Sequence, residues 1–214
     1  MGGGCTRSSG EAVLWHPAST HARSQSDVSL IIVNGLPGSG KSSLARELAT
    51  ELSLPLFSKD AIKETLADSL TSFRSKEETS FEWSQQLGLA AAECLWRLVA
   101  DARGNAVIES PWLAHLRPIV ARELERAGVF SHDEVWCEIP LEVARMRFAD
   151  RASTRHWIHV ESSGSTDADW EMWSQVAEPL GLGTVHRVDT TRPVDVRRLI
   201  QDLTGKYEGT AYES

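Results

Sequence analysis

The chain has 214 residues, enough for one domain with a full core, and its 41 % hydrophobic and 24 % charged residues are those of an ordinary water-facing globule. A formal net charge of −8 excludes a surface built throughout for nucleic acid, though not a local basic site. No apolar run reaches the length of a membrane span; the nearest, Leu87 to Ala100, is interrupted by Glu93 and Arg97.

Residues 1–27 lack hydrophobic periodicity and are expected to form a disordered leader. Their start, MGGGCT, satisfies the myristoylation pattern, with Gly2 and Thr6 in place and Cys5 available for a second lipid. A flexible Gly/Ser-rich leader is the simpler account, because lipidation requires a host transferase that a sequence does not disclose. Cys5, Cys94 and Cys137 are odd in number and lack metal-ligand spacing, which suits a reduced, cytoplasmic setting.

Leu30 to Val33 is a continuous apolar run of the kind a strand buried on both faces requires. It meets a glycine-rich turn that opens into a helix marked by Leu44, Leu48 and Leu52. Gly35, Gly40, Lys41 and Ser42 fit the spacing G-x-x-x-x-G-K-[ST], and the strand before and helix after are the context that motif needs. Glycines at 35, 38 and 40 let consecutive N–H groups gather around an anion with no Cβ in the way. Lys41 brings a cation to the terminal phosphates, Ser42 offers a hydroxyl to Mg²⁺, and the helix turns its positive end toward the anion. A phosphate-bearing nucleotide is the expected ligand.

Leu54, Leu56 and Phe57 predict a second strand with Ser58, Lys59 and Asp60 at its carboxyl end, where open parallel sheets bind ligands. Asp60 then either caps the following helix, whose apolar face is Ile62, Leu66 and Leu70, or aims a carboxylate at the site. Ser75 with Glu78 reads as a capping box for a long helix whose buried stripe is Leu87, Ala91, Cys94, Leu95 and Leu98. Phe73, Phe81 and Trp83 precede that stripe and suit packing better than ligand binding. Ala106 to Glu109 is the third strand, and Glu109 faces the same crevice as Asp60.

A helix through Ile119, Val120 and Leu124 stops at Gly128, and a fourth strand runs from Val135 to Ile139 up to Pro140. The helix from Leu141 to Asp150 leads into a cluster of Arg145, Arg147, Arg151 and Arg155. Such a run is usually a solvated face, but Arg147 and Arg151 lie four apart on one helix face, and mobile arginines neutralise the phosphate in phosphoryl transfer. Ser162 to Asp169 reads as a polar loop, with Asp167 or Asp169 capping a helix that carries Trp170, Trp173 and Val176. Val185 to Val188 gives a fifth strand, Val194 to Leu203 a last helix, and 205–214 a polar tail. Alternation of this kind predicts an α/β, three-layer fold with a five-stranded parallel sheet over 28–204 and a small arginine-bearing lid at about 145–168.

These residues resemble the small P-loop kinases, and more narrowly the AAA_33, zeta-toxin and chloramphenicol phosphotransferase-like group that includes the phage polynucleotide kinase domain. The similarity covers roughly Leu30 to Leu203. Relatives commonly read G-x-P-G-S-G-K-[ST] where this chain has Gly35 to Ser42, so the resemblance implies a nucleotide-binding set of Gly35, Pro37, Gly38, Ser39, Gly40, Lys41, Ser42 and Ser43. It implies that Asp60 is the base, and that Arg147 and Arg151, seven and eleven residues after Pro140, are the lid arginines. Many relatives carry aspartate at the end of the third strand; here Glu109 stands there, so its place beside Ser42 in a magnesium shell is an expectation to be tested.

The sequence thus points to an ATP-dependent, Mg²⁺-assisted kinase acting on a hydroxyl of a small molecule, with nucleic acid a poorer fit. Two alternatives stay open: a 5′-hydroxyl nucleic-acid or nucleotide-sugar kinase, and a regulatory NTPase switch. The switch is disfavoured because no guanine-reading [NT]-K-x-D follows and the third strand lacks an Asp-Glu pair. The acceptor has no readable signature between Asp60 and Trp112.

Overall fold

The computed structural model describes residues 30–160 and 167–208. The expected leader over 1–27, with its MGGGCT start and Cys5, lies outside them, as do 161–166 of the polar loop and the tail beyond 208. The strands β1 (Leu30–Gly35), β2 (Leu56–Ser58), β3 (Ala106–Glu109), β4 (His132–Glu138) and β5 (Thr184–Asp189) pair in parallel in the order β2-β3-β1-β4-β5. The helices are α1 (Lys41–Glu51), α2 (Lys59–Leu70), α3 (Ser80–Asp101), α4 (Arg117–Arg126), α5 (Leu141–Asp150), α6 (Trp157–Val160), α7 (Asp167–Val176) and α8 (Val196–Glu208). This is the expected α/β P-loop architecture.

β1 is the central strand, and all its residues are buried. Its side chains alternate between two cores. Leu30 and Ile32 pack with Leu95, Trp96 and Val99 of α3 and with Val120 and Leu124 of α4. Ile31 and Val33 pack with Leu44 and Leu48 of α1 and with Leu199 and Leu203 of α8. Both faces are covered, which is why the strand reads as an unbroken apolar run. All the strands therefore deliver their carboxyl ends to one edge of the sheet, where the loops of the site are displayed.

Several features differ from the sequence expectations. The capping box of α3 is formed by Thr79 and Glu82, not by Ser75 and Glu78: Thr79 Oγ1 accepts from the Glu82 amide at 3.2 Å and Glu82 Oε2 from the Thr79 amide at 3.0 Å. The two motifs overlap in sequence, but Arg74 donates to the Glu78 carbonyl at 2.9 Å and to Ser80 Oγ at 3.1 Å, holding the earlier stretch as a turn. The buried stripe of α3 is Trp83, Leu87, Ala91, Leu95 and Val99, with Cys94 and Leu98 displaced to the exposed flank. Finally, α8 continues past Gly205 to Glu208.

β4 begins three residues earlier than its apolar run, at His132, and His132, Asp133 and Glu134 are all buried. Glu134 is compensated by three donors: Asn34 Nδ2 at 2.8 Å and the amides of Leu180 and Gly181, each at 2.9 Å. Asn34 in turn donates to the Trp112 carbonyl at 2.5 Å and accepts from the Gly35 amide at 2.7 Å, so this buried network fixes the strand that launches the glycine-rich loop. Glu134→Ala leaves those donors without an acceptor, at about 1–3 kcal/mol for each buried group. Urea denaturation should show a loss of roughly 3 kcal/mol or more, with Glu134→Gln milder; a wild-type midpoint for Glu134→Ala would remove this network from the account of stability.

Candidate active site

The loop between β1 and α1 owes its shape to backbone that L side chains avoid. Gly38 has φ of +85°, and a Cβ there would stand 2.1 Å from the carbonyl oxygen of Ala144, so the loop is pressed against the first turns of α5. Gly40, also left-handed at φ +86°, is the N-cap of α1, and no side chain caps that helix. Its first amides are thus offered to an external acceptor, as at helix ends that bind phosphate. Cys137 lies directly beneath: its Cβ is 3.0 Å from where a Gly35 Cβ would be, and burial pushes its thiol up to about 12, making it a packing residue.

Lys41 is buried, donating to the Leu36 carbonyl at 3.4 Å and standing 3.9 Å from Glu109 Oε1. Glu109, 2 % exposed at the end of β3, accepts from Ser42 Oγ at 3.1 Å and from Ser58 Oγ at 2.7 Å. This is an oxygen-rich cluster of one carboxylate and two hydroxyls beside a phosphate cradle. Magnesium characteristically takes one or two protein oxygens and completes its shell with phosphate and water, and the donor set fits that habit. No group of three or more His, Cys, Asp or Glu able to hold a metal unaided occurs among the described residues.

Asp60 is the second residue of α2, and the cap is Ser58, whose Oγ accepts from the Ala61 amide at 3.4 Å. The capping alternative for Asp60 is thereby corrected. Its carboxylate lines a cavity of about 730 Å³ together with Pro37, Gly38, Lys41, Ser42, Arg151 and Arg155. Arg46 adds a further cation and Glu64 a further carboxylate. Sequence and structure agree on Asp60, Lys41, Ser42 and Arg151 in one place, with Glu109 directly behind Ser42.

Arg147 is elsewhere. Its guanidinium donates to the carbonyls of Thr190 at 2.8 Å and Thr191 at 3.0 Å, in the turn after β5. Sharing a helix face with Arg151 set its direction but not its reach. Arg145 pairs with Asp167. The other clustered arginine at the cavity is Arg155, beyond α5, whose guanidinium stacks 4.1 Å over the Phe148 ring. Burial lowers its pKa from the ordinary value, opposed chiefly by the Asp60 carboxylate.

Residues 30–180 match the family described as an AAA domain, AAA_33. The chain belongs to this P-loop family. Among solved structures it is similar to a provisionally assigned kinase from Chloroflexus aurantiacus j-10-fl, at 30 % identity and a TM-score of 0.69, covering 83 % of this chain and 97 % of the other. It is also similar in fold to a gluconokinase from Sinorhizobium meliloti 1021, at 16 % identity, TM-score 0.51 and coverage of 86 % and 94 %. A shikimate kinase from Acinetobacter baumannii, in complex with shikimate, gives 14 %, 0.52 and coverage of 86 % and 95 %. The comparison with curated proteins gave no match.

This AAA_33 chain carries further cavity residues that sequence reasoning passed over. His159 of α6 meets Glu64 at 3.0 Å and His156 meets Asp68 at 3.1 Å, stitching the arginine-bearing segment onto α2. These pairs span 95 and 88 residues, and no local pattern announces them. Arg155 was visible within its cluster, and only its distance from Pro140 kept it out of the predicted set. Gly38→Ala should cost about 1–3 kcal/mol of stability through overpacking, and should lower affinity for a fluorescent ATP analogue at least about tenfold. Unchanged affinity would mean that the loop does not form the phosphate cradle.

Proposed function

We propose that the chain is an ATP-dependent kinase that transfers the γ-phosphoryl group to a hydroxyl of a small molecule. The observation that carries this reading is one cavity holding Lys41 and Ser42 of the glycine-rich loop, Asp60 of α2, and Arg151 and Arg155. The loop amides and Lys41 hold the triphosphate. Ser42 and Glu109 are the residues that would hold Mg²⁺, which when bound draws charge from the phosphate oxygens. The acceptor oxygen attacks the γ-phosphorus, the bond from that phosphorus to the β,γ-bridging oxygen breaks, and ADP leaves. The acceptor proton passes to an Asp60 carboxylate oxygen, while Arg151 and Arg155 neutralise charge on the transferring group. Arg147 serves differently, anchoring the turn after β5. Catalysis by positioning and charge needs no covalent intermediate.

The small-molecule acceptor is favoured over a nucleic-acid end by charge placement. Of the four clustered arginines, Arg145 is held by Asp167 and Arg147 by the carbonyls of Thr190 and Thr191, and Arg151 and Arg155 line a single cavity.

Asp60→Asn keeps the shape of the residue and, with Ser58 as the cap, leaves the helix start intact. It should keep ATP affinity while phosphoryl transfer falls about 10²- to 10⁴-fold. Phosphate release without an acceptor should be negligible in both proteins; brisk acceptor-free hydrolysis that survives Asp60→Asn would instead favour an NTPase switch. Arg155→Met and Arg151→Met should each lower kcat at least about a hundredfold, and Arg147→Met should do less. Equal losses for Arg147 and Arg155 would return Arg147 to the phosphate.

A further inference from the structure

A second cavity, of about 500 Å³, opens beside the first and shares Pro111 with it. Its walls come from α2, α3, the segment leaving β3 and α4. Trp96 and Trp112, with centroids 5.8 Å apart, form an apolar wall, and Phe81, Leu89 and Ile119 stand exposed at the rim. Among the described residues that line it, the charged ones are Lys59 and Lys63, and there is no carboxylate. These lysines are four apart on α2 and so share a face.

Neither lysine forms an ion pair with a described residue. Lys63 is half-buried and donates to Ser84 Oγ at 2.6 Å. Burial is the main cause holding its pKa below the usual lysine range. A cation drawn partly out of water, with one hydroxyl as its hydrogen-bond partner and only the fields of Asp60 and Glu64 to offset its burial, is costly unless a ligand completes its shell. The uncharged polar lining is Ser84, Gln85 and Ser110, too few groups to satisfy a polyol. Trp96 and Trp112 are 4 % and 6 % exposed, so they do not present open faces for stacked bases.

Resting on the kinase reading above, we propose that this cavity holds the acceptor alcohol, and that the acceptor is a carboxylate with an apolar body, its anionic group meeting Lys59 and Lys63 while that body lies against Phe81, Leu89 and Ile119. The cavity volume suits a small organic molecule. The Pro111 border leaves the hydroxyl end of such a molecule on the Asp60 side.

The test compares 4-(hydroxymethyl)benzoate with 4-(hydroxymethyl)benzamide, which share a shape and differ in charge. Calorimetry on the full chain without nucleotide should find the benzoate bound roughly ten- to hundredfold more tightly. Lys63→Met, which keeps the apolar stem, should erase that preference, and Lys63→Arg should retain most of it; thermal melting and ATP-analogue binding confirm the fold of each. Equal binding of the two probes would overturn the proposal, as would a preference that survives in both Lys59→Met and Lys63→Met. So would a 5′-hydroxyl dinucleotide that displaces the benzoate and binds more tightly. ADP formation with ATP and Mg²⁺ is followed separately: charge-selective, lysine-dependent binding with no ADP from any hydroxyl compound would uphold the chemistry of the cavity and overturn its assignment to an acceptor.

Discussion

The buried carboxylate of Glu109 is the constraint around which the site is arranged. A charge that is 2 % exposed must be surrounded by donors or positive charge, and here Ser42, Ser58 and Lys41 provide both. Those partners come from the start of α1 and the end of β2, while Glu109 ends β3. One carboxylate therefore ties together three segments that meet at the carboxyl edge of the sheet. Ser58 also accepts from the Ala61 amide, so the residue that satisfies Glu109 starts α2 as well. The register of α2, and hence the aim of Asp60, follows from how that charge is neutralised.

α2 then divides two environments. Asp60 and Glu64 lie on one face and border the cavity of the glycine-rich loop, where Lys41, Arg46, Arg151 and Arg155 outnumber them. Lys59 and Lys63 lie on the adjacent face and border the apolar cavity, whose lining includes no carboxylate. Helical spacing of four makes each pair coherent. Carboxylates among surplus cations can stand close to a polyphosphate. Two lysines among tryptophans can instead select a ligand by charge.

Much of this was legible in the sequence because it rests on local rules. The apolar run of β1, the glycine positions and the strand-helix alternation each follow from backbone geometry or burial, and they located Lys41, Ser42 and Asp60. What escaped depends on partners far along the chain. Binary patterning rejects His132, Asp133 and Glu134 as strand residues; Glu134 is accommodated by hydrogen bonds from Asn34 and the amides of Leu180 and Gly181, and Asp133 by His186. Arg147 was placed by helix periodicity, which fixes a direction, whereas its guanidinium is held by carbonyls 43 and 44 residues away. Competing capping boxes at Ser75 and Thr79 were likewise separated only by Arg74 and by the buried phase of Trp83.

The distribution of positive charge bears on what the crevice can grip. A single strand needs a track of uncommitted cations, since each phosphate neutralised contributes to affinity and to its salt dependence. Here many arginines outside the cavity are engaged. Arg97 pairs with Asp101, Arg126 with Glu93 and Glu123, Arg187 with Glu138, Arg192 with Asp189, and Arg117 donates to the carbonyls of Pro179 and Leu180. Exposed pairs of this kind add little to stability, but they cancel the long-range field that would steer a polyanion. At the glycine-rich loop, by contrast, Lys41, Arg46, Arg151 and Arg155 gather around one cavity. Such a field is short in reach and strong at one point, which suits a compact triphosphate at a glycine-rich loop far better than an extended backbone.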